Sequence, residues 1–331
     1  MKIAILDDYQ DCVRHLNCFD LLKGHEVKVF THTATGIGQL AIRLASFDAI
    51  VLIRERTSFP AALLKKLPNL KLISQTGKVT GHIDVEVATR CGISIAEGVG
   101  DPTAPAELTW AMIMAASRRL PEYWANLRDG LWQMTSTIPQ YNGMGRVLKG
   151  CTLGIWGYGK IGRLVAGYGK AFGMRVLVWG REPSRLAALN DGYFAASTRE
   201  DFFEQADIVT LHLRLNHVTA GCVGEGDLAR MKPTALLVNT SRAELIEAGA
   251  LEAALTLGKP GFAALDVFES EPLAPDSSLL RRYNVLATPH LGYVEQNSYE
   301  IYFKAAFENI VAFAAGEPRN MLNPAAKKPV C

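Results

Sequence analysis

The sequence has almost no net charge. Its 35 lysine and arginine residues nearly balance 33 aspartate and glutamate residues, which leaves a formal charge of +2 at pH 7. A protein that is drawn to nucleic acid or to an anionic membrane by its overall field carries a clear excess of positive charge. We therefore expect neither partner, whereas a small metabolite remains compatible with this balance.

Clustered cysteines and long apolar runs are also lacking. The six cysteines are scattered, without a CxxC pair or a His/Cys cluster, so they predict reduced packing residues and no metal site. The longest apolar candidate, around Leu108 to Ala116, is closed by Arg118 and Arg119 before it reaches the ~20 residues of a transmembrane helix. The run Lys2–Leu6 predicts a first strand rather than a secretory signal. A cytoplasmic protein is expected.

What the sequence does contain is a regular alternation of short β-rich runs and helical segments. A chain of 331 residues with 49% hydrophobic residues is long enough for two domains with sizeable cores. The first series of predicted strands is Lys2–Leu6, Glu26–Phe30, Ala49–Ile53, Lys71–Ser74 and Ile93–Ala96. The second is Thr152–Trp156, Arg175–Trp179, Ile208–Leu213, Ala235–Asn239, Gly261–Asp266 and Val285–Ala287. The predicted fold class is α/β, with two Rossmann-like or flavodoxin-like parallel sheets.

A glycine-rich loop follows the strand Thr152–Trp156 directly and opens a helical segment, which is the context that a GxGxxG motif needs. Its first glycine permits a tight turn, its second lets backbone N–H groups approach a pyrophosphate, and its third lets helix pack on strand. The predicted cofactor contacts are Gly157, Tyr158, Gly159, Lys160, Ile161 and Gly162. A second match, Gly36–Ala41, is separated from its strand by five residues, and we interpret it as a loop and helix start.

The end of the next strand bears on the choice between NAD and NADP. The acid expected ~20 residues after the motif, which binds the ribose hydroxyls, is missing after Trp179. Gly180 and Arg181 stand there instead, and Arg181 with Ser184 and Arg185 favours the 2′-phosphate of NADP. Contact of Glu182 with the ribose hydroxyls, or a solvated loop, are the alternatives. The predicted cofactor is NAD(P), with NADP favoured.

Three later segments place polar residues at the carboxyl ends of strands, where open α/β sheets bind ligands. They contain Thr240 and Arg242, then Asp266 and Glu271, then His290 and Gly292. Together with the glycine loop and the spacing between them, they resemble the D-isomer-specific 2-hydroxyacid dehydrogenase family from about Leu70 to Tyr293. The resemblance implies that Arg242 orients the substrate, that Glu271 is the carboxylate partner and that His290 is the acid/base. It also implies that Asp266 binds the nicotinamide carboxamide or ribose.

The chemistry of 2-oxo acid reduction agrees with those roles. A guanidinium stays charged and can hold a carboxylate at two points while it polarises the carbonyl. A histidine can supply the proton that the developing alkoxide requires near neutral pH, and a glutamate on its other nitrogen would orient the ring. Each residue alone is equally compatible with a surface or loop position, whereas the three together favour catalysis. His212, Thr240 and Gly292 are expected to line the cofactor site.

The substrate lobe departs from the family pattern. The family's Gly-x-Gly-x-Asp-Asn-Ile-Asp loop matches at Gly77 and at Ile83-Asp84 only, and backbone donation by Lys78 and Val79 to a substrate carboxylate is expected. Arg54 and Arg56 resemble arginines that meet the phosphate in phosphoglycerate dehydrogenases, which suggests a phosphorylated or dicarboxylate 2-hydroxy acid. The alternative is a solvated Arg-Glu-Arg surface run.

The resemblance also implies the organisation of the chain. An NAD(P)-binding domain over 101–290 would be inserted into a substrate-binding domain made of 1–100 and 291–331. One long helix over 107–126 resembles the element that pairs two subunits, so a homodimer is expected. Two other functions stay open: a dehydrogenase of another small anion, such as formate or phosphite, and a cofactor-sensing corepressor without turnover.

Overall fold

The chain folds into two compact units in the computed structural model, which describes residues 1–324. The first unit is Met1–Asp101 together with the stretch from Glu295 onward, and the second is Pro102–Val294. The second unit therefore interrupts the first along the chain. Both are α/β, and the predicted fold class is confirmed. The end of the predicted substrate domain, residues 325–331, lies outside the described residues.

The first unit contains a five-stranded parallel sheet in the order β2-β1-β3-β4-β5. Its strands are β1 (Lys2–Ile5), β2 (Glu26–Val29), β3 (Ala49–Leu52), β4 (Leu72–Gln75) and β5 (Ser94–Ala96), and its helices are α1 (Ile37–Leu44), α2 (Ala61–Leu64), α3 (Val85–Arg90) and α11 (Gln296–Ala314). β3 and β4 are buried at every position, because a parallel sheet is covered on both faces. α1 starts after Gly36 as its N-cap, which confirms that the second glycine motif is a helix start.

The second unit contains a seven-stranded parallel sheet in the order β12-β11-β10-β9-β6-β7-β8. Its strands are β6 (Thr152–Trp156), β7 (Arg175–Trp179), β8 (Phe194–Ala195), β9 (Ile208–Leu211), β10 (Leu236–Asn239), β11 (Phe262–Leu265) and β12 (Val285–Ala287). Its helices are α4 (Thr103–Arg118), α5 (Leu120–Arg128), α6 (Lys160–Ala171), α7 (Glu182–Asn190), α8 (Arg199–Gln205), α9 (Glu225–Arg230) and α10 (Ala250–Leu257). The strand order reverses between β6 and β9, and such a switch point opens a crevice at the carboxyl ends of the strands.

The single helix predicted over 107–126 is wrong, because the chain breaks at Arg119 into α4 and α5. Pro121 has no N–H to donate to the carbonyl of Ser117, so the helix cannot continue through it. That carbonyl accepts a hydrogen bond from the Arg146 N–H at 2.8 Å instead. Arg119 takes a left-handed conformation with φ of 52°, and its buried guanidinium donates to the Tyr141 carbonyl at 3.0 Å.

Within residues 1–324, no helix combines the length and the apolar character that crossing a bilayer requires.

Candidate active site

The glycine loop leaves β6 at the switch point of the larger sheet. Gly157 has a φ of 104°, and a Cβ on it would lie 2.5 Å from the His212 carbonyl oxygen, so that only glycine fits. Gly159 is the N-cap of α6, and a Cβ there would meet nothing within 4 Å. No side chain caps the first turn of α6, which leaves its backbone N–H groups for an anion. The loop therefore fits the pyrophosphate of a dinucleotide.

Tyr158 is the loop residue whose side chain turns into the protein. Its hydroxyl donates to Asp191 Oδ2 at 2.7 Å, and the Arg163 guanidinium stacks 4.5 Å from its ring centroid. Burial, followed by the bond to Asp191, raises the pKa of this phenol above its ordinary value. Only the backbone of Tyr158 is thus left for a cofactor, while the side chain ties the loop to the end of α7.

His212 follows β9 and borders the glycine loop. Its backbone N–H donates to the Trp156 carbonyl at 2.8 Å, and its Nε2 lies 3.0 Å from Thr210 Oγ1. Burial lowers the pKa of this imidazole to about 4, so the ring is neutral near pH 7. Its Nδ1 is buried and has no hydrogen-bond partner among residues 1–324. Buried polar atoms nearly always have a hydrogen-bond partner, so the unpartnered Nδ1 favours a ligand at the glycine loop.

Arg181 and Arg185, the two cations predicted to bind a 2′-phosphate near the end of β7, have different surroundings. Gly180 has a φ of 154°, and Arg181 is the exposed N-cap of α7. No hydrogen bond or ion pair engages the Arg181 guanidinium among the described residues. Arg185 instead stacks over Trp179 at 5.1 Å. Arg181 is therefore the available cation at this strand end.

His290 and Glu271 form a close pair. His290 Nδ1 lies 2.6 Å from Glu271 Oε2, and Glu271 Oε1 accepts the Phe268 N–H at 2.9 Å. Burial alone would raise the pKa of Glu271, but the bonds from His290 and Phe268 and the nearby charge of Arg242 hold it below its ordinary value. An ionised Glu271 keeps Nδ1 of the ring as a donor, which leaves Nε2 for a substrate.

Asp266 organises the loop that carries His290. Its carboxylate is buried and accepts hydrogen bonds from Thr288 Oγ1 at 2.7 Å, from the Leu291 N–H at 2.7 Å and from the Gly292 N–H at 2.9 Å. Burial raises the pKa of Asp266, although these bonds oppose the shift. His290 itself has a left-handed φ of 52°, an uncommon conformation that needs such support.

Arg242 lies three residues beyond the end of β10. Its guanidinium donates to the Ser241 carbonyl at 2.6 Å, and its own carbonyl accepts from Asn239 Nδ2 at 2.8 Å. Ser241 Oγ donates to the Leu211 carbonyl of β9 at 2.7 Å, while Thr240 Oγ1 lies 2.7 Å from Thr109 Oγ1. These bonds attach the backbone around Arg242 to the neighbouring strand β9 and to α4.

In the first unit, the predicted substrate residues have different surroundings. The Arg54 guanidinium lies over Gly77, since a Cβ on that glycine would be 3.1 Å from Arg54 Cζ. Arg56 donates to the Asp7 carbonyl at 2.6 Å and to the Tyr299 hydroxyl at 3.3 Å, so its guanidinium is held within the unit.

The loop after β4 already contacts a carboxylate. The Val79 N–H donates to Glu97 Oε1 and the Lys78 ammonium to Glu97 Oε2, both at 2.9 Å.

Two residues that contact predicted site residues within their own units were not singled out from the sequence. Glu97 follows β5, the strand beside β4, and the meeting of neighbouring parallel strand ends is the signal that points to it. Tyr293 is buried and packs edge-on against His290, with 5.4 Å between ring centroids. Its place three residues after the histidine is the only cue in the sequence.

Comparisons with known proteins identify the family. Residues 110–292 match the family described as D-isomer specific 2-hydroxyacid dehydrogenase, NAD binding domain. A glyoxylate reductase of Aeropyrum pernix is 41% identical over 264 residues, which cover 79% of this chain and 78% of the relative. The crystal structure of an oxidoreductase from Ralstonia solanacearum is 56% identical with a TM-score of 0.96, covering 99% and 98% of the two chains. That of a phosphoglycerate oxidoreductase from Vibrio cholerae is 55% identical with a TM-score of 0.92, covering 96% and 99%.

The chain belongs to the D-isomer-specific 2-hydroxyacid dehydrogenase family. It is thus an NAD(P)-dependent oxidoreductase of the D-2-hydroxyacid dehydrogenase class, and the predicted family and enzyme class are confirmed.

Proposed function

We propose that this enzyme reduces small 2-oxo acids, with glyoxylate as the first candidate, to the corresponding 2-hydroxy acids. The observation that carries the proposal is the 2.6 Å pair of His290 Nδ1 and Glu271 Oε2 beside Arg242. The name of the Aeropyrum pernix relative supports glyoxylate.

The proposed roles follow from the side chains. Arg242 binds the substrate carboxylate and polarises the adjacent carbonyl, because a guanidinium offers paired donors and a permanent charge. His290 donates the Nε2 proton to the developing alkoxide, while Glu271 holds the ring by Nδ1 and stabilises the imidazolium. The chemistry expected of the cofactor is hydride transfer to the carbonyl carbon beside the carboxylate. Gly157, Gly159 and the first turn of α6 would hold its pyrophosphate.

A phosphorylated 2-oxo acid is the second candidate. The Vibrio cholerae relative is named a phosphoglycerate oxidoreductase, and Arg54 lies against Gly77 in the substrate lobe. Arg56 contributes less to this idea, since Asp7 and Tyr299 already engage its guanidinium.

The direct test is an absorbance assay of nicotinamide oxidation, with NADH and NADPH each tried against glyoxylate, hydroxypyruvate, pyruvate, 2-oxoglutarate and phosphohydroxypyruvate. Turnover of glyoxylate or hydroxypyruvate with the highest kcat/KM is expected. A clear preference for phosphohydroxypyruvate would replace the first candidate by the second. Absence of turnover with every acid and either cofactor would contradict the proposed function.

We expect Arg181 to give the enzyme a preference for NADPH. Its exposed guanidinium at the end of β7 is not engaged by other described residues, and a 2′-phosphate gains a charge-assisted bond there. Arg181→Ala should lower kcat/KM for NADPH about tenfold and leave that for NADH nearly unchanged. Arg175→Ala, an exposed arginine at the other end of the same strand, is the matched control. A wild-type enzyme that prefers NADH would overturn the assignment.

A homodimer through the region of α4 and α5 is the proposed assembly. Exposed apolar side chains are found in this region: Trp124 is 62% exposed, Trp132 is 74% exposed, and Leu120 and Leu127 are exposed as well. Large exposed apolar side chains favour a surface that binds a partner. Light scattering is expected to give twice the 36.1 kDa of one chain, and Trp124→Glu to shift the mass toward the monomer. A monomeric wild-type enzyme would contradict this proposal.

A further inference from the structure

Glu97 is brought to the loop after β4 by a close approach of two chain segments. The Gly98 N–H donates to the Gly77 carbonyl at 2.9 Å, and a Cβ on Gly98 would lie 2.6 Å from the Gln75 carbonyl oxygen. No other residue fits at that distance without displacing the backbone. The segment after β5 is therefore pressed against the loop, and Glu97 is the last side chain before the contact.

The carboxylate of Glu97 is clamped at two points. Oε1 accepts the Val79 N–H and Oε2 accepts the Lys78 ammonium, each at 2.9 Å. The Glu97 side chain is 18% exposed, against 64% for Lys78. Its backbone is fixed as well, because its N–H donates to the Asn320 carbonyl at 2.9 Å and its carbonyl accepts from Asn309 Nδ2 at 3.1 Å. This is a held carboxylate rather than a mobile surface side chain.

One of the two donors that Glu97 occupies, the Val79 N–H, is expected to receive the substrate carboxylate, and the Lys78 ammonium is held by the same glutamate side chain. We propose that Glu97 is an internal carboxylate that competes with the substrate anion for the Val79 N–H and the Lys78 ammonium and so limits the affinity for the substrate. This inference rests on the proposed function and names the residue that weakens substrate binding. A substrate carboxylate must either displace Glu97 or approach it against like-charge repulsion, and both raise KM without altering the chemical step. The loop thus holds a carboxylate of its own where the substrate needs donors.

Glu97→Gln tests the competition, because the amide oxygen can still accept the Val79 N–H while the negative charge is gone. We expect KM for glyoxylate to fall about tenfold and kcat to stay within about twofold of the wild-type value. The dissociation constant of oxamate, a non-reducible 2-oxo acid analogue, should fall by a similar factor when it is titrated calorimetrically into the enzyme with NAD(P)H. Glu86→Gln removes the same charge from an 83% exposed residue of the first unit and should change neither value.

Two results of the oxamate titration would contradict the proposal. Weaker oxamate binding in Glu97→Gln would mean that Glu97 binds the substrate itself, and unchanged binding would mean that it does not compete; either overturns the proposal. If the glutamine variant does not fold, as judged by thermal unfolding, Glu97→Ala replaces it, since it removes the carboxylate, frees both donors and should tighten oxamate binding in the same direction. These results require an active wild-type enzyme, so a failure of the proposed function is recognised separately by absent turnover of every 2-oxo acid.

Discussion

Replacement of His290 by glutamine is expected to lower kcat for 2-oxo acid reduction about a thousandfold. Glutamine is similar in size and can hydrogen-bond Glu271, but it cannot deliver a proton to the alkoxide. The dissociation constant of NAD(P)H should change little, because His290 lies on the loop after β12 and not on the glycine loop. Stopped-flow reduction in a single turnover would measure the chemical step directly.

His217→Gln is the matched control, since His217 is an exposed histidine of the same unit. Its kcat should equal that of the wild-type enzyme. A His290→Gln enzyme that retains more than about a tenth of wild-type kcat would remove His290 from the acid/base role.

Glu271 is expected to act through His290. Glu271→Gln should lower kcat less than the histidine variant, and the double variant should be no slower than His290→Gln alone, since residues that act as a unit are not additive. Because the pKa of Glu271 is held below its ordinary value, the stability from its ionised form is present above the unfolded pKa. It is lost as the pH falls through the lowered folded pKa. Comparing acid unfolding of Glu271→Gln with wild type measures that contribution.

Local patterns were sufficient for most of the fold. Apolar runs located eleven of the strands because buried parallel strands are continuously apolar, and β6, β7 and β12 have the predicted bounds. β8 was missed, since two residues are too few to form a pattern. The break at Arg119 had a readable cause in Pro121, whereas the use of the Ser117 carbonyl by Arg146 depends on a contact between segments distant in sequence.

The candidate site was less predictable than the fold. Strand ends and motif context indicated Arg242, Glu271 and His290, whose catalytic roles stay predictions. Local sequence patterns did not predict the side-chain directions: the Tyr158 hydroxyl bonds Asp191, and Arg185 stacks on Trp179. No periodicity reports such contacts, because each joins residues on different elements.

Substitutions of Arg242 distinguish the effect of its positive charge from that of its planar geometry at the proposed site. Arg242→Lys keeps the positive charge but loses the planar fork, so we expect kcat/KM for glyoxylate to fall about a hundredfold. Arg242→Ala loses both the charge and the fork, so its kcat/KM should be about a further tenfold lower. Arg230→Lys is the control, because Arg230 is a surface arginine that pairs with Glu204 at 2.7 Å. If the lysine variant stays within about threefold of wild type, a point charge suffices and two-point binding of the carboxylate is not required. If kcat/KM falls while the affinity for NAD(P)H is unchanged, the loss lies in binding and orienting the substrate and not in binding the cofactor.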